Sequence, residues 1–257
     1  MRLINAYTLA FEVFQGNKIP RYAILSHTWG EEEVTIQEWT DQTSLSNKSG
    51  FKKIVATCEQ ARRDGYDYAW VDTNCIDKSS SAELTEAINS MFAWYTEAGV
   101  CYAYLSDIPT FKPLSYAEEF RRSRWFKRGW TLQELLAPEE VVFYAADWSR
   151  IGTKASLVRE IASASGISIK YLWPKPRTAA INQDDWANSV NSLVHEASVA
   201  ERMSWLSRRE TTRIEDMAYC MLGLFGIHMP LVYGEGPRAF LRLQEEILKS
   251  SDDHSLF

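Results

Sequence analysis

Tyr22-Ala-Ile-Leu-Ser-His-Thr-Trp-Gly30 begins as an apolar run and turns polar within a few residues. A short continuous apolar run without period-two alternation is the pattern of a strand buried on both faces. Working outward, Tyr68-Ala-Trp-Val-Asp72 repeats the pattern and ends in the polar turn Thr73-Asn74. Cys101 to Leu105 and Val141 to Tyr144 supply a third and a fourth strand. Helical spacing fills the gaps. Ile54, Val55, Cys58 and Ala61 mark a helix from Phe51 to Arg63, stopped at Gly65. Ser80 and Glu83 form a capping-box pattern ahead of Leu84, Ile88, Met91, Phe92 and Tyr95, and Gly99 closes that helix. Trp130 to Ala137 reads as a short helix stopped by Pro138, and Lys154 to Ala164 as another.

Strands alternating with helices predict a parallel sheet covered on both faces, a three-layer α/β sandwich with right-handed crossovers. Ligands of such sheets sit beyond the carboxyl ends of the strands. Those ends are Ser26-His27-Thr28-Trp29, Asp72-Thr73-Asn74 and the loop after Leu105, all polar. From about Tyr171 the pattern changes: Pro174 and Pro176 punctuate a linker-like stretch, and helical segments follow. Thr212 and Glu215 form a capping box ahead of Met217, Met221, Leu222 and Phe225, and Ala239 to Leu248 makes a final amphipathic helix. The expected organisation is an α/β core over residues 1–170 with a mostly helical extension, 171–257, docked on it as one unit.

The composition is that of an ordinary globular protein. With 257 residues the chain can bury a full core without disulfides or metals. A net charge of −6 argues against general affinity for nucleic acid or anionic membranes. The longest uncharged apolar run, Tyr219 to Ile227, is about half of what a bilayer-spanning helix needs. Glu12 interrupts the only weak apolar stretch near the N-terminus, so no secretory signal is read there. Cys58, Cys75, Cys101 and Cys220 form no CxxC pair. A reduced, cytoplasmic protein is expected.

Several chemistries are absent or weak. No Gly-x-Gly-x-x-Gly follows the first strand, and neither a phosphate-binding Gly-Lys-Ser/Thr loop nor a Gly-x-Ser-x-Gly elbow occurs. His195-Glu196 has no second histidine at zinc-protease spacing, so neither metal nor resident cofactor is expected. Glu31 to Glu33 reads as a solvated acidic loop. Cys75 and His27, at neighbouring strand ends, are a candidate thiolate pair, against the simpler reading of a small buried cysteine. Arg121, Arg122, Arg124, Lys127 and Arg128 form a basic cluster that is either a solvated face or, at a cleft mouth, a holder for pyrophosphate. Ten tryptophans are unusual, and Trp29, Trp125 and Trp130 lie beside polar residues, where a ring can stack on a base or a pyridine.

Three stretches together resemble the fungal heterokaryon-incompatibility (HET) domain: Tyr22 to Gly30, Trp70-Val-Asp-Thr-Asn-Cys-Ile-Asp77, and Arg124-Trp-Phe-Lys-Arg-Gly-Trp-Thr-Leu-Gln-Glu-Leu-Leu136. Thr212-Arg-Ile-Glu-Asp216 and Met229-Pro-Leu-Val-Tyr-Gly-Glu-Gly236 resemble the HET subgroup fused to nucleotide-binding NLR-type receptors. The resemblance implies a cell-death effector of allorecognition and innate immunity that self-associates on activation, with NLR-type receptor segments as partners in cis or in trans. HET domains are similar in turn to TIR domains, which implies a flavodoxin-like sheet and NAD as substrate. Trp130-Thr-Leu-Gln-Glu-Leu135 matches the Trp-x-Leu-x-Glu-Leu helix of plant TIR domains and puts Glu134 in the catalytic position.

One glutamate suits that chemistry. Nicotinamide leaves as a neutral molecule, so no general acid need protonate it, and a fixed carboxylate can stabilise the ribosyl cation left behind. Trp29, Trp125 and Trp130 are expected to stack on the bases, and Ser26, His27, Asp72, Asn74 and Arg124 to supply polar contacts. The competing reading of Glu134 is structural, since Thr131-Leu-Gln-Glu134 is itself a capping box. Two other functions stay open: a non-catalytic module that recruits a death partner, and a hydrolase built on Cys75 and His27.

Overall fold

We describe a computed structural model covering residues 1–40, 42–113, 116–173, 194, 196–253 and 255. The four predicted strands are β3 (Tyr22–His27), β4 (Tyr68–Trp70), β5 (Val100–Leu105) and β6 (Val141–Ala145), and all four run parallel. Their spatial order is β4-β3-β5-β6. Renumbered from the first parallel strand this is 2-1-3-4, the flavodoxin-like order. All six residues of β3 and all five of β6 are buried, as continuous apolar runs require.

The sheet is larger than the sequence predicts. Antiparallel strands extend it on both sides: β1 (Arg2–Asn5) pairs with β4, β2 (Phe11–Val13) with β1, and β7 (Arg150–Thr153) with β6. Each has four residues or fewer, and Val13 on the outer strand is exposed. Short, partly solvated edge strands carry little periodic signal. The helix read from Lys154 starts only at Val158, because the end of β7 and a turn occupy the residues before it.

The chain moves one way from β3 to β4 and the opposite way from β4 to β5 and β6. Right-handed crossovers therefore place the intervening helices on opposite faces. The Ser49–Arg63 helix covers one face, and Asp64 at its end accepts a hydrogen bond from Tyr102 of β5 at 2.6 Å. The Ser81–Glu97 and Thr131–Leu136 helices cover the other, where the Tyr95 hydroxyl donates to the Leu25 carbonyl at 2.9 Å. The predicted Ser80 cap is formed: its hydroxyl accepts the Glu83 N–H.

The C-terminal segments share the core with the sheet. Asn89 exchanges two hydrogen bonds with the backbone of Met229, and Gly223 lies so close to Phe92 that an added Cβ would fall 2.1 Å from the Phe92 Cβ. The amphipathic Arg238–Ser250 helix buries Ala239, Leu243 and Ile247. The Thr212–Glu215 capping box does not form. Glu215 instead accepts the backbone N–H groups of Gly234 and Gly236, tying down the loop before the last helix. The linker read around Pro174 and Pro176, and His195, lie outside the described residues.

Candidate active site

The strand order reverses beside β3, and in sheets of this kind ligands bind beyond the carboxyl ends at that point. β3 carries Ser26 and His27 to that rim, and Leu105 of β5 hands over to Ser106 beside them. The Thr131–Leu136 helix delivers Glu134 to the same place. Ser26 Oγ donates to Glu134 Oε2 at 2.5 Å, and Trp125 Nε1 donates to Ser26 Oγ at 2.9 Å. The indole N–H uses one of the two serine lone pairs and leaves the hydroxyl proton for the Glu134 carboxyl oxygen.

This geometry removes the capping explanation for Glu134. The helix has no side-chain cap, and the Thr131 hydroxyl donates to the carbonyls of Trp125 and Arg128. Glu134 is 6% exposed. Burial raises its pKa and the charge of Asp72 adds to that; the Ser26 bond, Arg128 and Arg209 oppose it, and it settles at about 8.

A second network lies alongside. His27 Nε2 is 2.8 Å from Asp72 Oδ1, and Lys53 Nζ is 2.7 Å from His27 Nδ1. An ammonium can only donate, so His27 accepts at Nδ1 and carries its proton on Nε2, pointed at Asp72. Burial, reinforced by Lys53, lowers the His27 pKa and keeps the ring neutral. Burial would raise Asp72, but Lys78, His27 and Trp29 outweigh it and hold this carboxylate well below the usual range. Glu33 is not a solvated carboxylate: it pairs with Lys53 at 2.6 Å and accepts the Gly30 N–H.

The predicted site residues divide by accessibility. Trp29 is 41% exposed, and its Nε1 donates to Asp72 Oδ2 at 2.8 Å, which fixes an open ring at the rim. Arg124 is exposed and donates to Ser106 Oγ at 2.8 Å. Trp130 is half-buried and packs on the core. Trp125 is entirely buried, with its ring against Phe126 and Phe143, so it has no stacking face to offer and serves instead as the donor behind Ser26. Asn74 is entirely buried too, with neither amide atom hydrogen-bonded, and makes no rim contact.

The cysteine alternative loses its base. Both His27 nitrogens are engaged elsewhere, and burial pushes the Cys75 thiol up to about 12. Among the described residues no group of three His, Cys, Asp or Glu is placed to hold a metal ion.

Sequence reading missed Lys53, Lys78 and Arg209. Lys53 carries a signal, because it falls on the buried stripe shared by Thr57 and Ala61 of its helix. Arg209 arrives from far along the chain, and its Nη1 donates to the Arg128 carbonyl and to Thr131 Oγ1 at 2.8 and 2.9 Å. Beside it the Gly129 N–H donates to the Glu210 carbonyl, and a Cβ on Gly129 would meet Thr211 Cγ2 at 2.5 Å. Only glycine permits this close approach.

These features define a flavodoxin-like α/β domain whose polar groups converge at the switch point of the sheet. The chain belongs to the heterokaryon-incompatibility (HET) family: the family described as "Heterokaryon incompatibility protein (HET)" matches residues 22–113. Vegetative incompatibility protein HET-E-1 of Podospora anserina is 47% identical over 240 residues, covering 90% of this chain and 16% of that protein. The chain thus spans about a sixth of the relative's length. No solved structure matches. Among the described residues no helix is long and apolar enough to cross a membrane.

Proposed function

We propose that this domain is a cytoplasmic cell-death effector of fungal allorecognition and innate immunity, and that it hydrolyses NAD at the nicotinamide–ribose bond. The HET family and the vegetative-incompatibility relative support the first part. One observation carries the second: the Glu134 carboxylate stands at the carboxyl ends of the parallel strands, bonded to Ser26 of β3 and not to its own helix. The TIR-like Trp130 to Leu135 segment and the open Trp29 ring beside Asp72 add to it.

In the proposed reaction the bond between ribose C1′ and the pyridinium nitrogen breaks, and its electron pair goes to nitrogen. Neutral nicotinamide leaves. The ionised Glu134 carboxylate faces the ribosyl cation, water adds to C1′ and loses a proton, and ADP-ribose results. A carboxyl group that titrates near 8 ionises more readily once a pyridinium cation lies beside it. Self-association, through NLR-type receptor segments in cis or in trans, is the proposed trigger.

The test is nicotinamide release from NAD by purified protein, over a range of concentrations and with forced clustering. Turnover is expected, with a loss of at least about a hundredfold in Glu134→Gln. Retained turnover in a folded Gln variant overturns the assignment. Near-complete burial of Glu134 favours a second reading, a non-enzymatic module that recruits a death partner. That reading requires cell killing to survive Glu134→Ala.

A further inference from the structure

The geometry points to a diphosphate clamp at the rim, formed by Lys78 and Arg128 beside the Trp29 ring, that selects nucleotides over nucleosides. The inference rests on reading this site as one that processes a nucleotide. Lys78 Nζ lies 3.6 Å from the Trp29 ring centroid, and the Arg128 guanidinium carbon 5.5 Å from it. Arg124 reaches the same rim through Ser106, whose hydroxyl is 3.5 Å from that of Thr28, the residue before Trp29.

Lys78, Arg124 and Arg128 come together at this rim, whereas several cations elsewhere are held in ion pairs. Arg2, Lys53 and Arg242 each meet a carboxylate at hydrogen-bond distance. Among the described residues, Lys78, Arg124 and Arg128 have no carboxylate within ion-pairing distance. Of the nearby acids, Glu33 is taken by Lys53 and Asp107 by Ser123 and the Arg124 N–H, while Asp72 opposes Lys78 and Asp216 opposes Arg128 without forming a salt bridge. In a chain of net charge −6, three cations without a salt bridge are thus gathered around one exposed indole.

Like charges brought together repel one another, and an anion placed between them relieves the repulsion. Arginine offers its fork and lysine a mobile ammonium to phosphate oxygens, and the indole offers a face to one heteroaromatic ring. Cations confined to a single ring fit one diphosphate joined to one base, not a long polyanion. Neither Lys78 nor Arg128 reaches the Ser26–Glu134 pair by a hydrogen bond, so the clamp's role is to bind.

Calorimetric titration of the whole domain with ADP and with adenosine tests this. ADP is expected to bind at least tenfold tighter than adenosine, and only its affinity is expected to fall as salt rises from 50 to 300 mM. Lys78→Met combined with Arg128→Met should reduce the preference to under threefold, whereas Trp29→Ala should weaken both ligands. Equal binding of ADP and adenosine by the unmodified domain overturns the clamp. So does a double variant of unchanged melting midpoint that keeps the preference. If the double variant does not fold, the single Lys78→Met variant and the salt dependence of the unmodified domain decide the matter. NAD cleavage without the ADP preference would remove the clamp and leave the hydrolase; the preference without cleavage would do the reverse.

Discussion

Replacing Glu134 by glutamine should stabilise the domain, and the gain should grow with pH. The native carboxyl group titrates near 8 because burial opposes its charge, whereas in the unfolded chain it titrates near its ordinary value of 4.5. Between those values the unfolded state has released a proton that the native state keeps. Stability therefore falls as pH rises through this interval, by about 1.4 kcal/mol per pH unit. From pH 4 to pH 9 the loss accumulates to about 5 kcal/mol, of which about 3 is reached by pH 7. A glutamine carries no such proton, yet its amide oxygen can still accept the Ser26 hydroxyl. The two proteins should be nearly equal in stability at pH 4 and diverge above it, with glutamine ahead. Urea unfolding followed by tryptophan fluorescence at a series of pH values measures the difference directly, since other titrating groups cancel between the two proteins. Parallel curves from pH 4 to 9 would refute the reasoning, because they would mean that the native carboxyl group ionises as freely as the unfolded one.

Three further outcomes follow from the same geometry. Ser26→Ala removes the donor that favours the charged form of Glu134, so the acid limb of a pH–rate profile for NAD cleavage should move upward by about 1–2 pH units. An unmoved limb would deny Ser26 that role. Gly129→Ala should destabilise the domain by about 1–3 kcal/mol through overlap with Thr211, and Thr211→Ser, which lacks the offending methyl, should restore most of the loss in thermal unfolding. Cys75→Ser should leave turnover within about twofold, because the buried thiol has neither a base nor a thiolate to offer; a large loss in a folded protein would reinstate the cysteine mechanism.

The parallel centre of the fold was legible because its strands are apolar throughout, as burial on two faces demands. The antiparallel edges were not. Arg2–Asn5 and Phe11–Val13 are too short for a period, and Gly152 interrupts the third edge strand. Glu134 was legible by motif, but its role was not, because Thr131-x-x-Glu134 is equally a capping box. What speaks against the capping reading is Ser26, 108 residues away in sequence. Trp125 shows the same limit. Flanking charges marked it as a surface ring, yet its indole is buried and its use is the single hydrogen bond to Ser26. The Lys78–Trp29–Arg128 cluster has no local signature, since each residue comes from a different loop.

Bracing of Gly129 and Thr131 by Arg209 and Glu210 has a consequence for synthesis. A ribosome-bound chain exposed only as far as Leu136 contains every residue of the Ser26–Glu134 pair but lacks the strut that fixes the start of the glutamate's helix. Under the proposed function, a nascent chain would stay inactive until Arg209 and Glu210 had left the ribosome.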